Sequence, residues 1–142
     1  MNFNYSKDFK TTWINQKIDE SGIGYLSEFG KYLCDLNDRG FPSNNGVTTA
    51  QLRNLFSEVK RIDIKLEDDK YDWQTDCLML RPKIAYNTAR TLQRTYNKSK
   101  MKELREVLEN ALKVVTTKED FRRFAKFFEG IIAYHKVYGG KE

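Results

Sequence analysis

The sequence predicts an all-α fold, a single domain built as a compact bundle of about five helices. Three observations carry this. Apolar residues recur at three- and four-residue steps in several separate stretches, the spacing of one helix face. Two pairs, Thr48 with Gln51 and Thr117 with Asp120, have the form of capping boxes that open helices. No period-two alternation of useful length occurs, so strands are not expected. At 142 residues the chain is long enough to bury one sizeable core.

Each element follows from these signals. From Ile23, the apolar positions Leu26, Phe29, Leu33 and Leu36 mark the first helix. Gly40 followed by Pro42 reads as its stop, with a loop through 43–46. Thr48 opens the next helix, and Val47 with Leu52 can close a hydrophobic staple around the cap. Leu52, Leu55, Phe56, Val59 and Ile62 form its buried stripe, which leaves Arg53, Ser57 and Lys60 on another face. The acidic stretch 67–72 reads as the terminating loop.

Pro82 would cost roughly 3 kcal/mol inside a helix but is tolerated at a first helical position. A short apolar turn or helix through Leu78, Met79 and Leu80 is therefore expected, with a helix restarting at Pro82. In it Ala85, Thr88, Ala89 and Leu92 make a small-residue stripe suited to close packing. Lys83, Asn87, Arg90 and Arg94 stack along another face, beside Tyr86. Met101, Leu104, Leu108, Ala111 and Val115 define the following helix. Phe121, Phe124, Phe128, Ile131 and Ile132 define the last, ended by Gly139 and Gly140.

Charge is the strongest functional signal. Residues 81–105 hold eight Lys or Arg and one acid, Glu103, a local net charge of +7 in a chain whose total is +5. The preceding stretch, 62–80, carries −4. A solvated helix face usually mixes signs, whereas clustered cations make an electrostatic footprint for a polyanion. Like charges at helical spacing destabilise an isolated helix by a few tenths of a kcal/mol, roughly, so stability alone does not favour this pattern.

Other classes are disfavoured. No apolar run approaches a membrane span, and the N-terminus lacks a charged-then-apolar signal pattern. Cys34 and Cys77, far apart, fit neither a disulfide framework nor a metal site, and point to a reducing cytoplasm. Catalysis needs a positioned acid, base, nucleophile or metal. The single histidine, His135, falls in line with Phe128, Ile131 and Tyr138, where packing explains it better than general-base work. Arg122 and Arg123 stand too far from it for an Arg-then-His ribonuclease pair. Gly22 and Gly24 open no phosphate-binding loop. Asp68, Asp69 and Asp72 lack the glycine and glutamate of a calcium loop. No enzyme activity, cofactor or metal is expected, and a metal-dependent nuclease is the weakest reading.

Two binding readings remain open on the residues alone. Lys83, Arg90 and Arg94, with Arg53 and Lys60, can neutralise successive phosphates while Tyr86 and Asn87 add hydrogen bonds or a stacking surface. Alternatively the same charges meet an acidic protein partner and the bundle is a structural adaptor.

Three blocks narrow this: VTTAQLRNLFSEVKRI at 47–62, LRPKIAYNTAR at 80–90 and FAKFFEGIIAYHKVYGGKE at 124–142. Together they resemble the small, second-named subunit of the type III-A CRISPR effector, the Csm complex. The likeness covers 47–142, and 1–46 is a divergent leading segment. It implies a non-catalytic, all-helical RNA-binding subunit that stacks in copies beside the guide RNA–target RNA duplex. Its implied partners are target RNA, the backbone subunits and neighbouring copies of itself. The family's basic positions fall on Arg53, Lys60, Arg81, Lys83 and Arg90; Arg94 rests on charge alone. Tyr86, Asn87, His135 and Lys136 are candidates for an RNA or subunit interface. The chain departs from the family pattern at Thr88-Ala89, usually a small pair often with glycine, and at Gly130, where alanine is usual. The related type III-B small subunit is the runner-up. A Phe-rich face could also support a homodimer of the isolated protein.

Overall fold

The computed structural model describes residues 4–92 and 98–142. Among these run seven helices: α1 (Tyr5–Asp8), α2 (Thr12–Asn15), α3 (Glu20–Cys34), α4 (Thr49–Lys65), α5 (Trp73–Leu92), α6 (Lys98–Leu112) and α7 (Lys118–Val137). The five long ones are the expected bundle, and the two short ones precede it. No strand occurs among the described residues, only an isolated bridge between Leu36 and Pro42.

Both capping boxes form. The Thr48 hydroxyl accepts from the Gln51 amide at 3.1 Å and the Gln51 side chain accepts from the Thr48 amide at 2.9 Å. Thr117 and Asp120 make the same exchange at the start of α7. Each satisfies amide donors that the first helical turn leaves without partners.

Helix α7 is the centre of the fold. Phe121, Phe124, Phe127, Phe128 and Ile131 line its buried side, and α3, α4, α2 and α6 pack around it. The Phe-rich face is therefore consumed by the chain's own core, and it offers no exposed surface for a homodimer. Gly130 faces Leu26 of α3; an added Cβ would stand 2.7 Å from the Leu26 Cδ1 atom, which accounts for the smaller residue. The leading segment joins the same core: Tyr5, Phe9, Trp13 and Ile14 are buried, and Phe9 and Trp13 contact Phe127. α5 lies outermost, packed on α4 and α6.

Three boundaries differ from the sequence reading. α3 ends at Cys34, before Leu36 and Gly40, because Asp35 turns into the left-handed region at φ 51. Its carboxylate is then held by the Ser43 hydroxyl at 2.5 Å and by Lys100 at 3.3 Å. α6 ends at Leu112, leaving half-buried Val115 in the connection to α7. Pro82 does not start a helix but lies inside α5. Trp73, Cys77 and Leu80 before it are buried with Ile84 and Thr88 after it, so a single buried stripe runs through the proline. Pro82 itself is exposed, where water can replace the missing N–H donor. The packing stripe is thus this one, and Ala89 is exposed.

Candidate nucleic-acid interface

The outer faces of α4 and α5 enclose an open groove of about 490 Å³. α4 contributes Asn54, Ser57 and Glu58, and α5 contributes Met79, Pro82, Lys83, Tyr86, Asn87 and Arg90. The α5 residues are spaced at three- and four-residue steps opposite its buried stripe, which aims them together. The face expected from periodicity therefore exists for Lys83, Asn87 and Arg90. Arg94 lies outside the described residues.

The groove is not a uniformly cationic surface. Lys83 Nζ stands 3.2 Å from Glu58 Oε2, and Arg61 reaches the same carboxylate at 3.0 Å. Lys83 and then Arg61 hold the Glu58 carboxyl below the usual carboxylate range, so it stays ionised. Arg61 also approaches Asp76 at 3.5 Å, and Asp76 accepts the Tyr71 hydroxyl at 2.6 Å. Burial and this bond push the Tyr71 hydroxyl up to about 12. Tyr86 is 66% exposed, and the Arg90 guanidinium sits 6.0 Å from its ring centre. That is the outer range of a cation–π contact.

The +7 cluster divides once partners are visible. Lys100 is nearly covered, lying 3.8 Å from the centre of the Tyr32 ring while it ties α6 to Asp35. Arg105 pairs with Glu109 at 2.9 Å. Arg81, Arg90 and Lys102 make no ion pair among the described residues. Arg81 nevertheless points away from Lys83 and Arg90: it borders a separate, largely apolar pocket with Trp73, Gln74, Cys77, Leu78 and Leu112. Nine residues along a helix rotate a side chain to the far side, and Arg81 and Arg90 stand nine apart.

Arg53 and Lys60 are exposed on the face of α4 adjoining Ser57. Arg53 meets Glu142 at 3.9 Å, with both side chains in solvent. Glu58 and Asn54 are the groove residues that sequence reasoning missed. Their signal was available, since Asn54, Glu58 and Arg61 are spaced four and three apart on one helical face. Three acids of the 67–72 loop have structural partners. Asp68 accepts the Lys70 amide, Asp72 accepts from Thr75, and Asp69 pairs with Lys118. Among the described residues no three His, Cys, Asp or Glu side chains gather as metal ligands.

His135 is a correction to its candidacy as an interface residue. It is completely buried, with Nε2 2.6 Å from the Val47 carbonyl and Nδ1 unpartnered. Desolvation lowers its pKa, which keeps the ring neutral. Gly30 and Gly140 make its pocket possible. A Cβ on Gly30 would stand 2.8 Å from the His135 amide nitrogen, and one on Gly140 would overlap the imidazole at 1.9 Å. Past Gly140 the chain continues onto the start of α4, where the Thr49 amide donates to the Lys141 carbonyl at 2.6 Å. The histidine fastens the C-terminal strap, α3 and α4 together. Lys136 is exposed beside it. Cys34 and Cys77 are buried free thiols, each pushed up to about 11 by burial.

The family model described as Csm2 Type III-A matches residues 38–141, a span that holds α4 to α7 and with them the whole groove and His135 itself. The chain belongs to the type III-A Csm2 family. A relative points the same way: the CRISPR system Cms protein Csm2 of Streptococcus thermophilus is 31% identical over 111 residues, covering 78% of this chain and 85% of that protein. No solved structure matches. As a type III-A Csm2, the chain is a small subunit of the Csm complex, with the other Csm subunits as its partners, and the type III-B alternative falls away. No helix among the described residues is long and apolar enough to cross a membrane.

Proposed function

We propose that this subunit binds the sugar-phosphate backbone of target RNA in the type III-A complex, alongside the guide–target duplex, and does no chemistry itself. Sequence selection would be left to base pairing, with the subunit answering to shape and phosphate. The observation that carries the reading is the outward face shared by α4 and α5. Arg90 projects there without an ion pair, Lys83 lines the same groove, and Arg53 and Lys60 flank it on α4. None of these side chains is needed to close the core, so a role outside the fold accounts for them. Arg81, on the far side of α5, belongs to a different surface.

Each copy neutralising ~3–4 phosphates of a single strand gives log affinity a slope of about −2 to −3 against log salt. Reversing charge at Arg53, Lys60 and Arg90 together should weaken binding to single-stranded RNA strongly while leaving the melting temperature near that of the parent. Normal RNA binding by the triple variant would refute the assignment. The ion pairs of Lys83 with Glu58 and Arg53 with Glu142 favour one second reading, an adaptor that bridges backbone subunits without touching RNA. It predicts a complex that assembles normally, and holds target RNA normally, with all three charges reversed.

A further inference from the structure

A groove built only to hold phosphate would not carry a carboxylate within it. This one holds Glu58, ionised and within 3.2 Å of Lys83, so part of the groove's positive charge is already answered. The remaining chemistry suits a nucleobase. Tyr86 presents a ring that is 66% exposed, and the aliphatic edges of Met79 and Pro82 lie nearby. Asn54 and Asn87 bring side-chain amides from the two walls, and amides and carboxylates are the groups that pair with base edges. The Arg90 guanidinium sits 6.0 Å from the Tyr86 ring centre, with its cation left for a flanking phosphate.

We infer that the α4–α5 groove captures one unpaired nucleotide, its base stacked on Tyr86 and its edge met by Asn54, Asn87 and Glu58, with Arg90 at the adjoining phosphate. The volume of about 490 Å³ admits a nucleotide. This rests on the RNA-binding reading and sharpens it: a base locked in a duplex offers no free face to Tyr86, so the groove selects single-stranded or extruded nucleotides over continuous helix. Base–aromatic stacking changes affinity by about 5- to 150-fold per base and tolerates any sequence because every base has a face.

The test uses the full chain with three probes: an unstructured mixed-sequence RNA, an abasic ribose-phosphate chain of the same length, and the same RNA as a blunt duplex. The expected result is about 5- to 150-fold tighter binding of the single strand than of the abasic chain, with the duplex weaker than the single strand. Tyr86→Ala should erase the preference over the abasic chain, and Tyr86→Phe should retain it. The residue is exposed, so neither change should alter the melting temperature. Equal, salt-sensitive binding of the single strand and the abasic chain would overturn the base pocket while leaving the backbone reading intact. Absence of binding to every probe would overturn both.

Discussion

Replacing Glu58 with glutamine isolates what the groove's own acid does. In the wild-type protein Glu58 Oε2 lies 3.2 Å from Lys83 Nζ, with more than a third of each side chain in solvent. Pairs exposed to that degree are worth about 0–1 kcal/mol. The variant should therefore shift the melting temperature by no more than a few degrees, given ~2–4 °C per kcal/mol at about this size. The effect on RNA should be larger and opposite in sense. Releasing Lys83 adds one cation to the phosphate path, which steepens the log–log salt slope by ~0.7 for a single strand. Extrapolated from 1 M reference salt, that is about fivefold tighter binding at 0.1 M. Fluorescence anisotropy of labelled RNA across a salt series reads both quantities at once. An unchanged slope and affinity, with the protein folded, would show that Lys83 is not on the RNA path. Because the Glu58 carboxyl is held low, its stabilising contribution is present above the unfolded value near pH 4.3 and is lost only as pH falls through the lower folded value. Near neutral pH this contribution is fully present and should not vary with pH.

Further outcomes follow from the other surfaces. Arg81→Glu should leave RNA affinity and salt slope unchanged, because Arg81 faces the apolar pocket beyond α5; a loss like that of Arg90→Glu in the same anisotropy assay would show that both faces meet RNA. His135 has a lowered pKa from burial, so the unfolded chain takes up the proton first and stability falls as pH drops below about 6.5, by up to ~1.4 kcal/mol per unit until the folded value is reached. Denaturant melts of the parent and of His135→Gln at several pH values check this, and the variant should lose that part of the slope. Gly140→Ala places a methyl against the imidazole and should cost about 1–3 kcal/mol while exposing the Thr49 amide to hydrogen exchange. A variant as stable and as protected as the parent would mean that the strap is not fastened by this contact.

Two helix starts were legible because they are local. Thr48 with Gln51 and Thr117 with Asp120 need only a three-residue spacing to be recognised, and both boxes form as read. The stop of α3 was not, since Asp35 leaves the helix for partners at Ser43 and Lys100 that local sequence cannot reveal. Pro82 misled for the same reason. Its intrinsic cost argued for a break, but burial of Trp73, Cys77 and Leu80 on one side and Ile84 and Thr88 on the other outweighs one lost hydrogen bond. For the candidate interface, periodicity placed Lys83, Asn87 and Arg90 on one face. It could not show that Lys83 is answered by Glu58 from another helix, or that Lys100 is spent on Asp35 and Tyr32. A net charge counted along the chain treats all eight cations alike. Folding sorts them by their neighbours.

The most direct test is photocrosslinking of the assembled type III-A complex to target RNA, with the attached residues of this subunit mapped by mass spectrometry. The groove account predicts adducts on Tyr86 and on its neighbours Lys83 and Arg90, with Lys60 on the flank and none on the Arg81 side of α5. Adducts confined to the Arg81 side or to α6 and α7, or a subunit carrying none while the complex holds its target, would contradict it.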